Sequence, residues 1–422
     1  MLIKQGIYQM SFSIFNLSDS LVQALVHSAY TMPTPIQKAV IPLVLEGKDL
    51  VAQAQTGSGK SASFVVPILE KWSLQAREGK PKICVLVLTP TRELTLQVAQ
   101  TFVTLGAFLA RPPRVVSLIG GARIGDQLYD VQQGCDIVVA TSGRLLDVIS
   151  RKQMDLKHVK FFVLDEADRM LDEGFAQEFG LILESLPKTR QNLLFSATYP
   201  PKIQKISSRI TEAPMMVTLQ DETPTVANIT QRMITVNREN RGPLLRHLLK
   251  TNPWKLILVF MANKRATDNI AAKFRKHGIA AESFHGDLDQ EERTLTLSDF
   301  KAKKICLLFA TDIAARGLDI EDIDCVINFD LPRAPTDYIH RIGRSARAGK
   351  SGMAISFVGL EDHEHFTLIQ KKCEISLIAE QIEGFERIGE LPTHQKGATP
   401  IKGKRKSKKD KAREMALKKT PS

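Results

Sequence analysis

Long apolar runs are missing from this 422-residue chain: the longest, Leu256 to Ala262, has seven residues, against the roughly 18–20 a helix needs to cross a bilayer. The first residues interleave Gln, Tyr and Ser with apolar side chains, which predicts no signal peptide. Cysteine is scarce. The five present (Cys84, Cys135, Cys306, Cys325, Cys373) form no CxxC pair, and four sit in or beside apolar runs. This usage argues against a disulfide scaffold and predicts buried thiols in a reducing, cytoplasmic compartment, with no membrane contact. Aromatics are only 6% of residues, without a paired aromatic strand signature. Stacking on bases is therefore a poor main mode for any nucleic-acid contact.

Charge is present in excess of one sign, but unevenly. There are 58 Lys+Arg against 46 Asp+Glu, a net +12. Residues 396–422 hold 11 Lys/Arg and two acids, so that segment carries +9 and the rest only +3. The end of the chain reads as a disordered basic arm that touches polyanions. With 43% hydrophobic residues the remainder can bury real cores, and its length suggests two or three domains.

Short Val/Ile/Leu-rich runs recur, each followed by a loop and a helix-like stretch. In the first half they are 50–52, 83–88, 115–119, 137–140, 161–164 and 193–195. In the second they are 256–260, 280–284, 305–310, 326–329 and 354–358. Continuous apolar runs of this length predict buried strands of parallel sheets with helices on both faces, and the duplicated pattern predicts two α/β domains. The polar, Pro-interrupted stretch 220–226 is the expected linker. Polar and glycine-rich motifs follow the apolar runs directly, which places them at the carboxyl edges of the sheets, where ligands of open α/β sheets bind.

Ala54-Gln55-Thr56-Gly57-Ser58-Gly59-Lys60-Ser61 follows one such strand and opens a helix. Its glycines let backbone N–H groups face phosphate oxygens, Lys60 would reach the β- and γ-phosphates, and Ser61 would ligate Mg²⁺. Asp165 and Glu166 follow the apolar Phe161–Leu164. Asp165 suits the metal, and Glu166 suits orienting or deprotonating a water. Two acids after a strand would by themselves read as a helix cap; it is the Lys60 loop beside them that points to the metal and the water. The stretch His340 to Arg347 packs three arginines into eight residues, and Arg344 and Arg347 would share one face of a helix. Supplied from the second domain, they would make hydrolysis conditional on closure.

Asp165-Glu166-Ala167-Asp168, with the surrounding motifs in order, resembles the DEAD-box family of ATP-dependent RNA helicases over about Phe12 to Val358. The resemblance implies two tandem RecA-like domains: 11–219 and 227–385, joined by 220–226, with a possible disordered extension at 1–10 and a basic disordered tail at 386–422. It implies ATP and Mg²⁺ as cofactors and single-stranded or short duplex RNA as partner. Ribonucleoprotein or ribosome-assembly factors are possible further partners, and the protein would act as a monomer. In the nucleotide site, Gln37 of Pro33–Gln37 would read adenine, with Tyr30 against the base, Phe12 upstream and Asp319 near the ribose. The implied RNA contacts are Pro90, Thr91, Arg92, Gly121, Thr141, Gly143, Arg144, Gln290, Arg293, Thr311 and Asp312. Ser196, Thr198, Asp168 and His340 would couple hydrolysis to strand separation. Ser142, Ala346 and Ala29 depart from the family pattern, standing where Pro, Gly and Gly are usual. The segment 361–385 and the basic tail most resemble the bacterial RhlE-type branch. Contacts of this kind read backbone and not bases, so binding without sequence preference is expected. A holding clamp and a DNA translocase remain alternative uses of such a site.

Overall fold

The computed structural model describes residues 12–54, 58–75, 79–172, 176–219, 229–315, 320, 323–345 and 352–389. The expected extension 1–10, the linker 220–226 and residues 390–422 of the tail lie outside them. Two sheets of seven strands are present, and every strand pair is parallel. The first contains β1 (Leu50–Gln53), β2 (Val85–Thr89), β3 (Val115–Leu118), β4 (Ile137–Thr141), β5 (Phe161–Leu164), β6 (Gln191–Ser196) and β7 (Met215–Thr218). The second contains β8 (Ile229–Thr235), β9 (Ile257–Met261), β10 (Ala281–Phe284), β11 (Leu307–Thr311), β12 (Cys325–Asn328), β13 (Gly352–Val358) and β14 (Ala379–Glu380). Their orders are β3-β4-β2-β5-β6-β1-β7 and β10-β11-β9-β12-β13-β8-β14. The second repeats the first with every strand moved on by seven, so the duplicated sequence pattern is a duplicated fold.

The apolar runs are continuous because both faces of each sheet are covered. Successive side chains of a strand point to opposite faces. Val85 and Val87 accordingly enter one core cluster, and Leu86 and Leu88 another. Ile257 and Val259 likewise part from Leu258 and Phe260. All five cysteines are free, with Cys135 and Cys325 buried. Among the described residues no helix is long and apolar enough to cross a membrane.

Three strands escaped the sequence reading, each for a physical reason. β7 is an edge strand in which only Val217 is buried. β8 carries Gln231 and Arg232 in its middle. Tyr338 donates its hydroxyl to Gln231 Oε1 at 2.9 Å, and Arg232 pairs with Glu380 of β14, so partners distant in sequence satisfy those polar groups. β14 has two residues, too few to leave a pattern. Asn237 exchanges two hydrogen bonds with the backbone of Ile388, so the chain stays tied to the second sheet beyond residue 385.

Two of the departures from the family pattern have a local meaning. Ser142 is the first residue of the helix Ser142–Ser150, the position at which proline's fixed φ is already helical. Ala29 sits at φ +61, a left-handed conformation that costs an L-residue about 1–2 kcal/mol. Ala29→Gly should relieve that strain, partly offset by the looser unfolded chain. We expect about 0.5–1 kcal/mol of stabilisation, read as a thermal midpoint raised by about 1–4 °C. A lowered midpoint would contradict the strain.

Candidate nucleotide site and interdomain cleft

Because the strands are parallel, the motifs that follow them share one edge of each sheet. After β1 the chain reaches the phosphate loop, where the Ala54 N–H donates to the Ser196 carbonyl at 3.0 Å. Gln55, Thr56 and Gly57 lie outside the described residues. Gly59 caps the helix Lys60–Ser73 at φ +92, a conformation that favours glycine. A Cβ there would stand 2.7 Å from Gln37 Nε2 and 2.9 Å from Thr34 Oγ1. Gln37 is buried, accepts from Thr34 N–H at 2.9 Å and donates to the Gly59 carbonyl at 3.2 Å. Thr34 and Gln37 also form the capping box of the helix Pro35–Leu45. The glutamine thus holds its own helix start and the phosphate loop together. Phe12 is buried and meets the half-buried Tyr30 edge-on, ring centres 6.2 Å apart.

Lys60 is buried, and among the described residues its Nζ has no hydrogen-bond partner. A buried ammonium without an acceptor costs several kcal/mol, so this group is poised for an anion. The buried Asp165 sits in its field, at the end of β5. Burial pushes the Asp165 carboxyl up to about 6; Lys60 opposes that rise and Glu166 adds to it. Asp165 Oδ1 accepts from the Glu166 N–H at 2.9 Å. Glu166 is buried at φ +53, and its Oε2 is ion-paired with Arg169. Non-glycine residues held in such conformations concentrate at functional sites. Asp168 Oδ2 accepts from both the backbone N–H (2.9 Å) and the hydroxyl (3.0 Å) of Thr198. Ser196 donates to the Thr198 carbonyl at 2.6 Å. The acidic motif and Ser196-Ala197-Thr198 therefore form one bonded unit.

The expected RNA contacts divide into open and occupied groups. Thr91 caps the helix Arg92–Gly106, accepting from the Leu94 N–H at 3.2 Å, beside the half-buried Pro90. Arg92 lies over Gly121, where φ is +80 and any Cβ would overlap the guanidinium. Gly143 faces open space, so glycine is not required there. Arg144 donates Nη2 to the Ala122 carbonyl at 3.0 Å, and Thr141 donates to the Leu118 carbonyl at 3.4 Å. In the second half, Gln290 and Thr311 are half-buried. Arg293 is only 5% exposed: its Nε and Nη2 reach Glu93 Oε1 of the first half at 2.6 Å, and Nη1 reaches the His285 carbonyl at 2.8 Å. It also lies over the Phe284 ring at 4.6 Å. Burial, and then the like charge of Arg293, lowers the pKa of Arg92. The two halves therefore meet at this point.

Asp312 is likewise occupied. Its two oxygens accept from Arg341 Nε and Nη2 at 2.6 and 2.7 Å. Arg341 also donates to Asn328 Oδ1 and the Asp330 carbonyl, which makes it the structural member of the arginine cluster. The helix Pro335–Ile342 ends before Arg344, so the shared helical face expected for Arg344 and Arg347 is not formed from Arg344. Gly343 closes the helix, and the buried Arg344 lines a pocket with His340 and Asp312. Arg347, Asp319 and Ala346 lie outside the described residues. Burial lowers the pKa of His340, and the charge of Arg169 lowers it further. The sequence assigns no separate role to Glu93, Arg169 or Arg341, although Arg341 lies within the stretch His340 to Arg347 and Glu93 and Arg169 directly follow expected site residues.

A parallel sheet ending in a phosphate loop, met across a cleft by its own duplicate carrying arginines, defines a two-domain RecA-like nucleoside triphosphatase. Residues 34–206 match the DEAD/DEAH box helicase family, and residues 241–349 match the helicase conserved C-terminal domain. The chain belongs to the DEAD-box helicase family. It is 41% identical over 348 residues to the DEAD-box ATP-dependent RNA helicase CshA of Bacillus subtilis, covering 82% of this chain and 69% of that protein. S. cerevisiae Dbp5 bound to RNA and ADP BeF3 superposes with a TM-score of 0.78 at 29% identity, covering 88% of this chain and 96% of that one. A DEAD box protein from Methanococcus jannaschii is 39% identical, covering 89% and 99%, yet its TM-score is 0.51. Poorer superposition at higher identity is what a different arrangement of two like halves produces. The arrangement here is close to that of the RNA- and ADP BeF3-bound relative.

Proposed function

We propose that this protein is an RNA-dependent ATPase that opens short RNA duplexes, or remodels RNA–protein complexes, without reading sequence. The observation that carries this is the buried Lys60 Nζ, without a hydrogen-bond partner among the described residues, in the field of Asp165 on the edge where the second half arrives. Phe12, Tyr30 and Gln37 would hold adenine, and residues 54–61 the phosphates, with Asp319 near the ribose. Ser61 and Asp165 would hold Mg²⁺, which supplies a Lewis acid for the phosphoryl oxygens; the raised Asp165 carboxyl suits a site completed by a cation. Glu166 orients the attacking water, and Arg344 and Arg347 neutralise charge on the transferring group. Pro90, Thr91, Arg92, Gly121, Thr141, Gly143, Arg144, Gln290 and Thr311 line the RNA path. Arg293 and Asp312 act on it through Glu93 and Arg341, the partners they hold here.

The domain limits expected from the sequence, a monomeric state and a cytoplasmic setting belong to the same proposal; five free thiols support the last. We assign residues 361–385 to an RhlE-type branch. The 41% identity to CshA favours a CshA-type assignment as the second reading.

The test compares ATP turnover with single-stranded RNA and with DNA of the same sequence. We expect RNA to raise turnover at least about tenfold and DNA to leave it near the basal rate. Equal stimulation by both would favour a DNA-competent translocase.

A further inference from the structure

Glu166 does not stand alone in the acidic motif. Arg169, one helical turn on, donates Nη1 to Glu166 Oε2, and both side chains are at least nine-tenths buried. The Arg169 backbone N–H bonds back to the Glu166 carbonyl at 3.0 Å and to Asp168 Oδ1 at 3.2 Å, so the arginine is fixed to the motif it serves. Arg169 Nη1 thus holds one oxygen of the Glu166 carboxylate, and among the described residues the buried Arg169 Nη2 has no acceptor. Glu166 keeps φ +53, a backbone that would not by itself fix where its carboxylate points.

We infer that Arg169 is a positioning residue: by its ion pair with Glu166 Oε2 it holds the Glu166 carboxylate for the attacking water. This rests on the proposed role of Glu166. The two can fail separately, because Glu166→Gln tests the acid itself.

The experiment uses the full chain with Arg169→Gln and Arg169→Lys, measured at saturating RNA and ATP beside thermal unfolding of each variant. Misplacing a reacting group by about 1 Å costs on the order of 10²-fold. Arg169→Gln should therefore lower kcat by about 10–100-fold while KM for ATP and for RNA stays within about twofold. Arg169→Lys, which keeps the charge, should regain most of the loss. Three outcomes would overturn the inference: wild-type kcat in Arg169→Gln, losses in both variants accompanied by raised KM, or increased RNA-free turnover. The last would make Arg169 a latch that holds Glu166 away from the reaction. Should Arg169→Gln unfold, Arg169→Met, which keeps the bulk of the side chain, decides in its place: kcat lowered about 10–100-fold at normal KM supports the role, and wild-type kcat or raised KM refutes it. Turnover surviving in Glu166→Gln would instead remove the role of Glu166.

Discussion

Lys60→Ala and Glu166→Gln should each abolish RNA-stimulated ATP hydrolysis, but by different routes. Lys60 is buried, and among the described residues its Nζ has no partner, so its charge is preorganised for phosphate. Removing one such preorganised donor costs about 10²–10³ in rate, and losing the ammonium should also weaken ATP binding. Glu166 is held at the end of β5 beside Asp165, and general-base assistance contributes about 10²–10⁴. Glu166→Gln keeps the size of the side chain and leaves Lys60 in place, so ATP binding should survive while turnover is lost. Steady-state hydrolysis with nucleotide binding measured in parallel separates the two effects. Turnover within about tenfold of wild type in either variant would contradict the assigned role.

The next largest effect should come from Glu93→Gln, far from any phosphate. Glu93 and Arg293 are 200 residues apart in sequence, belong to different halves and form a buried ion pair at 2.6 Å. Removing one partner of such a pair costs about 3–5 kcal/mol, chiefly because a buried charge is left uncompensated. In the open protein both groups can be hydrated, so the cost falls on the closed form. That corresponds to about a 10²–10⁴-fold loss in the closed population. RNA-stimulated kcat/KM should fall accordingly, while RNA-free turnover and the thermal midpoint stay near wild type. Arg293 keeps its anchors on Phe284 and the His285 carbonyl, so the double exchange Glu93→Arg with Arg293→Glu should recover only part of the activity. A wild-type response to RNA in Glu93→Gln would show that this pair does not hold the halves together.

What could be read from the sequence was whatever local chemistry writes there. β2 and β9 are visible as unbroken apolar runs because helices cover both their faces. The phosphate loop is visible because its glycine at φ +92 and its lysine must be contiguous. β8 was hidden because Gln231 and Arg232 are satisfied by Tyr338 and Glu380, which the sequence holds far away. The same reason hid the division of labour among the arginines. Arg341 and Arg344 look alike in the chain, yet only the folded sheet brings Asp312, Asn328 and Asp330 around Arg341. Arg293, expected on RNA, is withdrawn from solvent by a glutamate of the other half. Pairings made by closure leave no local pattern.

The most direct measurement of the central claim is release of one strand from a short RNA duplex by the full chain, with ATP, without nucleotide, and with Lys60→Ala plus ATP. ATP-driven closure on RNA predicts strand release only by the wild-type protein with ATP. Hydrolysis of ATP without any strand release would make the protein a clamp, and release independent of ATP or of Lys60 would contradict the account.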